Sequence, residues 1–331
     1  MAMKLVVFGL LILKLISGNN TPLIGILTLP CNSEPSNCPS EYFKDGVTYL
    51  PSSYVKWVQS GGARVIPILS DSSYDDIAAL LPQLNGVLFT GGGTSFNLST
   101  SFWYNNANNI LNLLRKFHAD SDGKESIPLW TTCLGFEAMI CLTAENSKAR
   151  MHVSAEDISR PLIFSENGKT SRIFNSTMDY EYESMVYNYL ETYNLTYNHH
   201  GYGFNLSIFD TNEYLKNNFT ILSTSYDINN IEFVSLIESN DNNGLYWYGS
   251  QFHPEKPSYI FDYNNGKNNI NHDIKSIISN EYFAQFFINE CKLRNNNIMS
   301  QDKYQQNVIY NYSPYFIYDG THSYEQVYIF P

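Results

Sequence analysis

The chain has 331 residues with 32 acidic against 20 basic side chains, a formal net charge of -12. That surplus would repel phosphate backbones, which excludes a nucleic-acid partner and suits a protein working where carboxylates are partly protonated. An apolar share of 43% is that of an ordinary globular core, and the length allows one large α/β domain or two modest ones.

The chain opens Met1-Ala-Met-Lys4, runs apolar from Leu5 to Ile16 with a single lysine, and turns polar after Ser17 and Gly18. This is the layout of a signal peptide over residues 1–18, leaving a mature chain of 19–331. The apolar run of about a dozen residues is short of the ~20 that a spanning helix needs, so no membrane contact is expected of the mature form. Asn-x-Ser/Thr acceptors at Asn19, Asn97, Asn175, Asn194, Asn205 and Asn218, with a weaker one at Asn311 ahead of Pro314, agree with passage through the secretory pathway. The destination is then the cell exterior or a lysosome or vacuole.

From Pro22 short β-like runs alternate with helical patterns, the signature of a mostly parallel sheet covered on both faces. Strands are predicted at Leu23–Thr28, Arg64–Leu69, Gly86–Phe89 and Ile127–Thr132. A helix starts near Ser52 and Ser53, either able to cap it, and ends at Gly61-Gly62. The second half carries β-rich segments at Ile221–Ser225, Ile231–Glu238 and Leu245–Phe252. A long helix follows from about Asp273 to Arg294, its stripe of Ile274, Ile278, Tyr282, Phe283, Phe286, Phe287 and Cys291 reading as packing. The stretch Tyr259–Asn271 reads as a loop, and with no internal repeat and no linker a single domain is the economical reading.

Five cysteines leave at least one unpaired within the chain. Cys31 and Cys38 lie close in a polar loop and are the disulfide candidate, whereas Cys141 and Cys291 sit among apolar helical residues as buried thiols. Cys133 stands where the strand of Ile127-Pro-Leu-Trp-Thr-Thr-Cys133 meets a helical pattern beginning Leu134-Gly-Phe136. A sharp strand-to-helix turn lifts such a side chain clear of the sheet, Gly135 allows the turn to close, and the helix N-terminus would favour a thiolate. A buried structural cysteine is the competing reading of that position alone. A partner lies far downstream in Gln251-Phe-His-Pro-Glu-Lys256. There Glu255 could orient His253 if the backbone is extended, since residues i and i+2 then share a side. Elbow cysteine and His-Pro-Glu together favour nucleophilic catalysis. Glycines after the strand Asn85-Gly-Val-Leu-Phe89, at Gly91 and Gly92, could turn amides toward an oxyanion; no Gly-Lys-Ser/Thr follows, so a phosphate loop is excluded.

In this order the elements resemble the class I glutamine amidotransferase-like superfamily, with a flavodoxin-like single domain, and most closely its γ-glutamyl hydrolase (folate conjugase) family. The resemblance spans nearly the whole mature chain, through Pro22-Leu-Ile-Gly-Ile-Leu27, Ser53-Tyr-Val-Lys-Trp57, Gly62-Ala-Arg-Val-Ile-Pro67, Cys133-Leu-Gly-Phe-Glu137, the His-Pro-Glu segment and Tyr328-Ile-Phe330. It implies hydrolysis of folylpoly-γ-glutamates or another γ-glutamyl peptide through a thioester, with Cys133 as nucleophile, His253 as base and Glu255 as its orienter. Amides of Gly91, Gly92 and Leu134 would form the oxyanion hole, and Tyr49, Glu137 and His200 would bind substrate. It implies a homodimer and no metal or organic cofactor. A glutaminase, a hydrolase of another γ-glutamyl amide, and an inactive binder of γ-glutamyl ligands are the rival readings. Departures from the family pattern fall at Thr90, at Gly201-Tyr202, and at Thr131, whose branched side chain is expected to tilt the thiol.

Overall fold

A computed structural model describes residues 20–331 apart from 34–36, 177, 241–242, 262–268, 295–298 and 318–322. The expected signal peptide and the Asn19 acceptor lie outside the described residues. In chain order the strands are β1 Leu23–Leu27, β2 Leu29–Pro30, β3 Thr48–Pro51, β4 Arg64–Ile68, β5 Gly86–Phe89, β6 Leu129–Thr132, β7 Met151–Arg160 and β8 Ile163–Phe164. They continue with β9 Thr196–Gly203, β10 Phe219–Tyr226, β11 Glu232–Ser239, β12 Trp247–Ser250, β13 Tyr315–Phe316 and β14 Gln326–Phe330. The helices are α1 Ser52–Ser60, α2 Tyr74–Leu80, α3 Phe102–Asp120, α4 Leu134–Thr143 and α5 Tyr180–Thr192. After them come α6 Ser207–Thr211, α7 Glu213–Asn218, α8 Lys256–Tyr259, α9 Ile274–Lys292 and α10 Gln301–Asn307.

The central sheet runs β4-β1-β5-β6-β12-β11-β10-β8. From β4 to β12 the neighbours are parallel, and β11, β10 and β8 complete it antiparallel. A mostly parallel sheet is thus what the alternation of short apolar runs and helices predicts, and the antiparallel end holds the β-rich second half, where no helix intervenes between β10, β11 and β12 to carry a crossover. A smaller sheet, β13-β14-β3-β2, and a ribbon of β7 with β9 complete the fold.

Alternate residues of β6 show why helices cover both faces. Trp130 is fully buried against α1 and α9, with ring centroids 5.5 Å from Trp57, 5.8 Å from Phe283 and 6.1 Å from Phe287. Thr131 points the other way, toward Met139 of α4. This packing fixes the strand that ends at Cys133, and the stripe on α9 is core as expected, except that Ile274 at its first turn is 67% exposed.

Four local expectations change. The first helix is preceded by Pro51 with no side-chain cap, and Ser52 and Ser53 lie inside its first turn. The strand predicted from Ile127 begins at Leu129. Of the loop Tyr259–Asn271, Tyr259 instead ends α8, and residues 262–268 lie outside the described residues. Thr131 sits in regular strand register between Phe89 and Gly249, and its hydroxyl donates to the Tyr248 carbonyl at 3.1 Å. It ties β6 to β12, so the expected tilt at the elbow has no origin there. Among the described residues no helix is long and apolar enough to cross a membrane.

Candidate active site

Cys133 occupies the single residue between β6 and α4 with φ 49° and ψ -106°, a left-handed backbone that a side chain adopts only under constraint. Three bonds supply it: the Cys133 N–H donates to the Ser250 carbonyl (2.9 Å), its carbonyl accepts from Glu137 (2.8 Å), and the Gly135 N–H donates to Thr90 (3.0 Å). Gly135 is obligatory by close approach, since a Cβ there would stand 2.6 Å from both Cβ and the carbonyl oxygen of Phe89. The thiol is 5% exposed. Burial pushes it well above the ordinary thiol range, the Glu137 carboxylate adds to the effect, and Lys256 and the Leu134 amide only partly oppose it. Burial thus opposes the thiolate that the helix N-terminus would favour.

His253 follows β12, its N–H held by the Tyr197 carbonyl of β9 at 2.8 Å. Nδ1 lies 2.9 Å from Glu255 Oε1, with both side chains buried. Because a carboxylate accepts only, Nδ1 carries the proton and Nε2 keeps a lone pair. That Nε2 is buried without a hydrogen-bond partner among the described residues. Burial lowers the ring's pKa, with Glu255 opposing. The pair meets in a turn, not in extended backbone as predicted: Glu255 is αR and precedes α8.

Gly91 joins the two halves of the site. A Cβ on it would stand 2.6 Å from His253 Cε1 and 3.2 Å from Cys133 Cβ, so the imidazole and the cysteine both close on the space that the missing side chain leaves. The Gly91 N–H, however, donates to the Tyr54 hydroxyl at 2.7 Å, and that hydroxyl lies 3.3 Å from His253 Nδ1. Gly91 is thereby removed from the predicted oxyanion set, which leaves Gly92 and Leu134. Tyr54, fully buried on α1, was missed by sequence reasoning although it lies in the Ser53-Tyr-Val-Lys-Trp57 motif.

The predicted substrate residues separate. Glu137, one turn past Cys133 and 4% exposed, accepts from Arg150 Nη1 at 2.7 Å and from Gln251 Nε2 at 3.2 Å. Burial raises its pKa and Arg150 restrains the rise. His200 on β9 is buried, with Nδ1 donating to the Tyr202 carbonyl at 2.7 Å and Nε2 3.1 Å from the Asn198 side-chain amide. Burial pushes it down to about 3, so the ring is neutral. With its one N–H committed to that carbonyl, the neutral ring turns the lone pair of Nε2 toward Asn198 Oδ1 and has no N–H left for a substrate. Tyr49 is fully buried on β3 across from Leu29, whose Cδ1 would be 2.6 Å from a Cβ on Gly92, which places it on the glycine-loop side of the site. Gln251 and Arg150 had no sequence signal of their own, because their role depends on meeting Glu137.

Cys31 and Cys38 are joined, with Cα atoms 5.5 Å apart. Cys141 and Cys291 are buried thiols. Asn97, Asn175, Asn194 and Asn205 are exposed. Asn218 is half-buried and its Nδ2 donates to the Tyr214 carbonyl at 2.8 Å, so it is poorly placed to carry a glycan. Among the described residues no cluster of His, Cys, Asp and Glu is arranged to hold a metal ion.

Comparison with known proteins agrees with this geometry. The family model described as peptidase C26 matches residues 22–255. Gamma-glutamyl hydrolase B of Dictyostelium discoideum is 35% identical over 320 residues, covering 96% of this chain and 86% of that protein. Human gamma-glutamyl hydrolase is 33% identical over 312 residues, covering 93% and 89%, and gamma-glutamyl hydrolase 1 of Arabidopsis thaliana is 29% identical over 312 residues, covering 94% and 83%. With an elbow cysteine, a histidine–glutamate pair beside it and matches of this extent, the chain belongs to the peptidase C26 family.

Proposed function

We infer that this chain is a cysteine hydrolase of γ-glutamyl bonds. The observation that carries it is the meeting of Cys133 and the His253–Glu255 pair on either side of Gly91. In the proposed reaction His253 Nε2 takes the thiol proton as sulfur attacks the γ-carbonyl, and Glu255 steadies the imidazolium through Nδ1. The Gly92 and Leu134 amides receive the developing oxyanion. His253 then protonates the leaving amine, and water, activated by the same imidazole, cleaves the thioester. A thiol raised by burial suits this sequence, in which His253 takes the proton as the sulfur attacks.

Folylpoly-γ-glutamates are the proposed substrates, on the family resemblance. Export is supported by the Cys31–Cys38 disulfide, which belongs to an oxidising compartment, and by the exposed acceptor asparagines. We also propose that residues 19–331 form one catalytic domain and that two copies pair, which sedimentation would test. Incubation with pteroyl-pentaglutamate, with products resolved by chain length, tests the activity. Wild type should release shorter pteroyl-glutamates and Cys133→Ala should not. Intact substrate with both proteins would defeat the folate assignment, and intact γ-glutamyl amides of every kind would defeat the hydrolase.

A further inference from the structure

We propose that Arg150 anchors the α-carboxylate of the γ-glutamyl unit whose γ-carbonyl is attacked. The inference rests on the hydrolase reading above. Every γ-glutamyl amide carries an α-group on the carbon chain that ends at the scissile carbonyl. Four single bonds separate the two carbons, about 5 Å when extended. A cation placed beyond the sulfur by about that carbon-to-carbon span and one hydrogen bond would recognise the γ-linkage.

Arg150 is where this spacing points. Its Nη1 bonds Glu137 at 2.7 Å, and Glu137 is one helical turn, about 5.4 Å, past Cys133. The guanidinium is clamped by the Phe96 ring at 3.9 Å, from the segment following the glycine loop, and by the Tyr202 ring at 4.7 Å, two residues beyond His200 on β9. Three segments that build the site thus converge on one cation. Rings above a guanidinium hold its plane and leave its edge N–H groups free to bond. The Arg150 side chain is 21% exposed, so a ligand can approach it, in contrast with Glu137 at 6%. Five donors let a guanidinium serve Glu137 and a second carboxylate together.

The other cation of the site is placed differently. Lys256 is 2% exposed, with its ammonium 5.2 Å from the Tyr197 ring and 5.1 Å from the Tyr324 ring, donating to the Ser323 carbonyl at 3.2 Å. Held between those rings and that carbonyl, it is buried where Arg150 is partly exposed. In a chain of net charge -12 an anionic ligand needs such a local cation.

The test uses two probes that differ only in the α-group: γ-glutamyl-p-nitroanilide and its α-carboxamide counterpart. Wild type should prefer the carboxylate. In R150Q, kcat/KM for the carboxylate probe should fall roughly tenfold to a hundredfold further than kcat/KM for the carboxamide probe, mostly through KM, so that the preference for the carboxylate collapses. R150K, which keeps a charge without the fork, should retain part of the preference, and it carries the test if R150Q does not fold. An equal fall on both probes would mean that Arg150 only props Glu137, and an unchanged preference would place the anchor elsewhere; either result overturns the proposal. A wild type inactive on both probes and on pteroyl-pentaglutamate would remove the hydrolase reading and the proposal with it, whereas an active wild type with unchanged preference in R150Q removes Arg150 alone.

Discussion

Replacing Gly91 by alanine would add one carbon at the tightest point of the site. Gly91 does not have a positive φ, so its backbone accepts alanine and the effect is confined to contacts. The new Cβ would be 2.6 Å from His253 Cε1, 2.7 Å from Tyr54 Oη and 3.2 Å from Cys133 Cβ. Carbon atoms pack at about 3.5–4.0 Å, so the imidazole must retreat by roughly 1 Å. Glu255 holds that ring by a single bond at 2.9 Å, and the retreat carries Nε2 away from the sulfur. A misplacement of about 1 Å costs on the order of 100-fold in rate. The overpacking itself should cost about 1–3 kcal/mol, a few degrees of melting temperature in a chain this size. Steady-state kinetics on a γ-glutamyl amide, paired with a thermal melt, reads both. A Gly91→Ala enzyme with a native melt and kcat within about threefold of wild type would refute the reasoning, because His253 would then not be working where the structure puts it.

Other outcomes follow from the same geometry. As a base His253 must be neutral, and its pKa is lowered by burial, so kcat/KM should rise with pH through a limb lying below the ordinary imidazole value of about 6.5. Glu255→Gln removes the influence that raises that pKa, moving the limb further to acid while kcat falls; a limb that moved upward would contradict the assignment. Thr131→Gly should lose the bond to the Tyr248 carbonyl and the strand preference of threonine, lowering stability by about 1–2 kcal/mol without raising kcat, as denaturant unfolding and kinetics would show. At Cys133, φ 49° reverses the usual order of small residues: the inactive Cys133→Gly should melt higher than the inactive Cys133→Ala, the difference being about 1 kcal/mol. Glycopeptide mass mapping of secreted protein should find occupancy among Asn97, Asn175, Asn194 and Asn205 and none at Asn218, whose Nδ2 is already bonded.

Features that depend on neighbours in the chain were legible without coordinates. The strand ending at Thr132, the cysteine after it and Gly135 two residues on are local patterns of propensity and steric need, and the structure places them as read, whereas His-Pro-Glu, legible as a motif, forms a turn in place of the extended backbone predicted. Short apolar runs alternating with helices likewise imply parallel pairing, because a parallel neighbour requires a crossover. What the tertiary structure decided rests on contacts between distant residues. Tyr54 meets the Gly91 amide from 37 positions away, Arg150 reaches Glu137 across the end of α4, and Thr131 bonds a carbonyl 117 residues downstream. The protonation state of Cys133 was open for the same reason. A helix N-terminus is visible in sequence and favours the anion, but the burial that opposes it is the sum of side chains brought together only by folding.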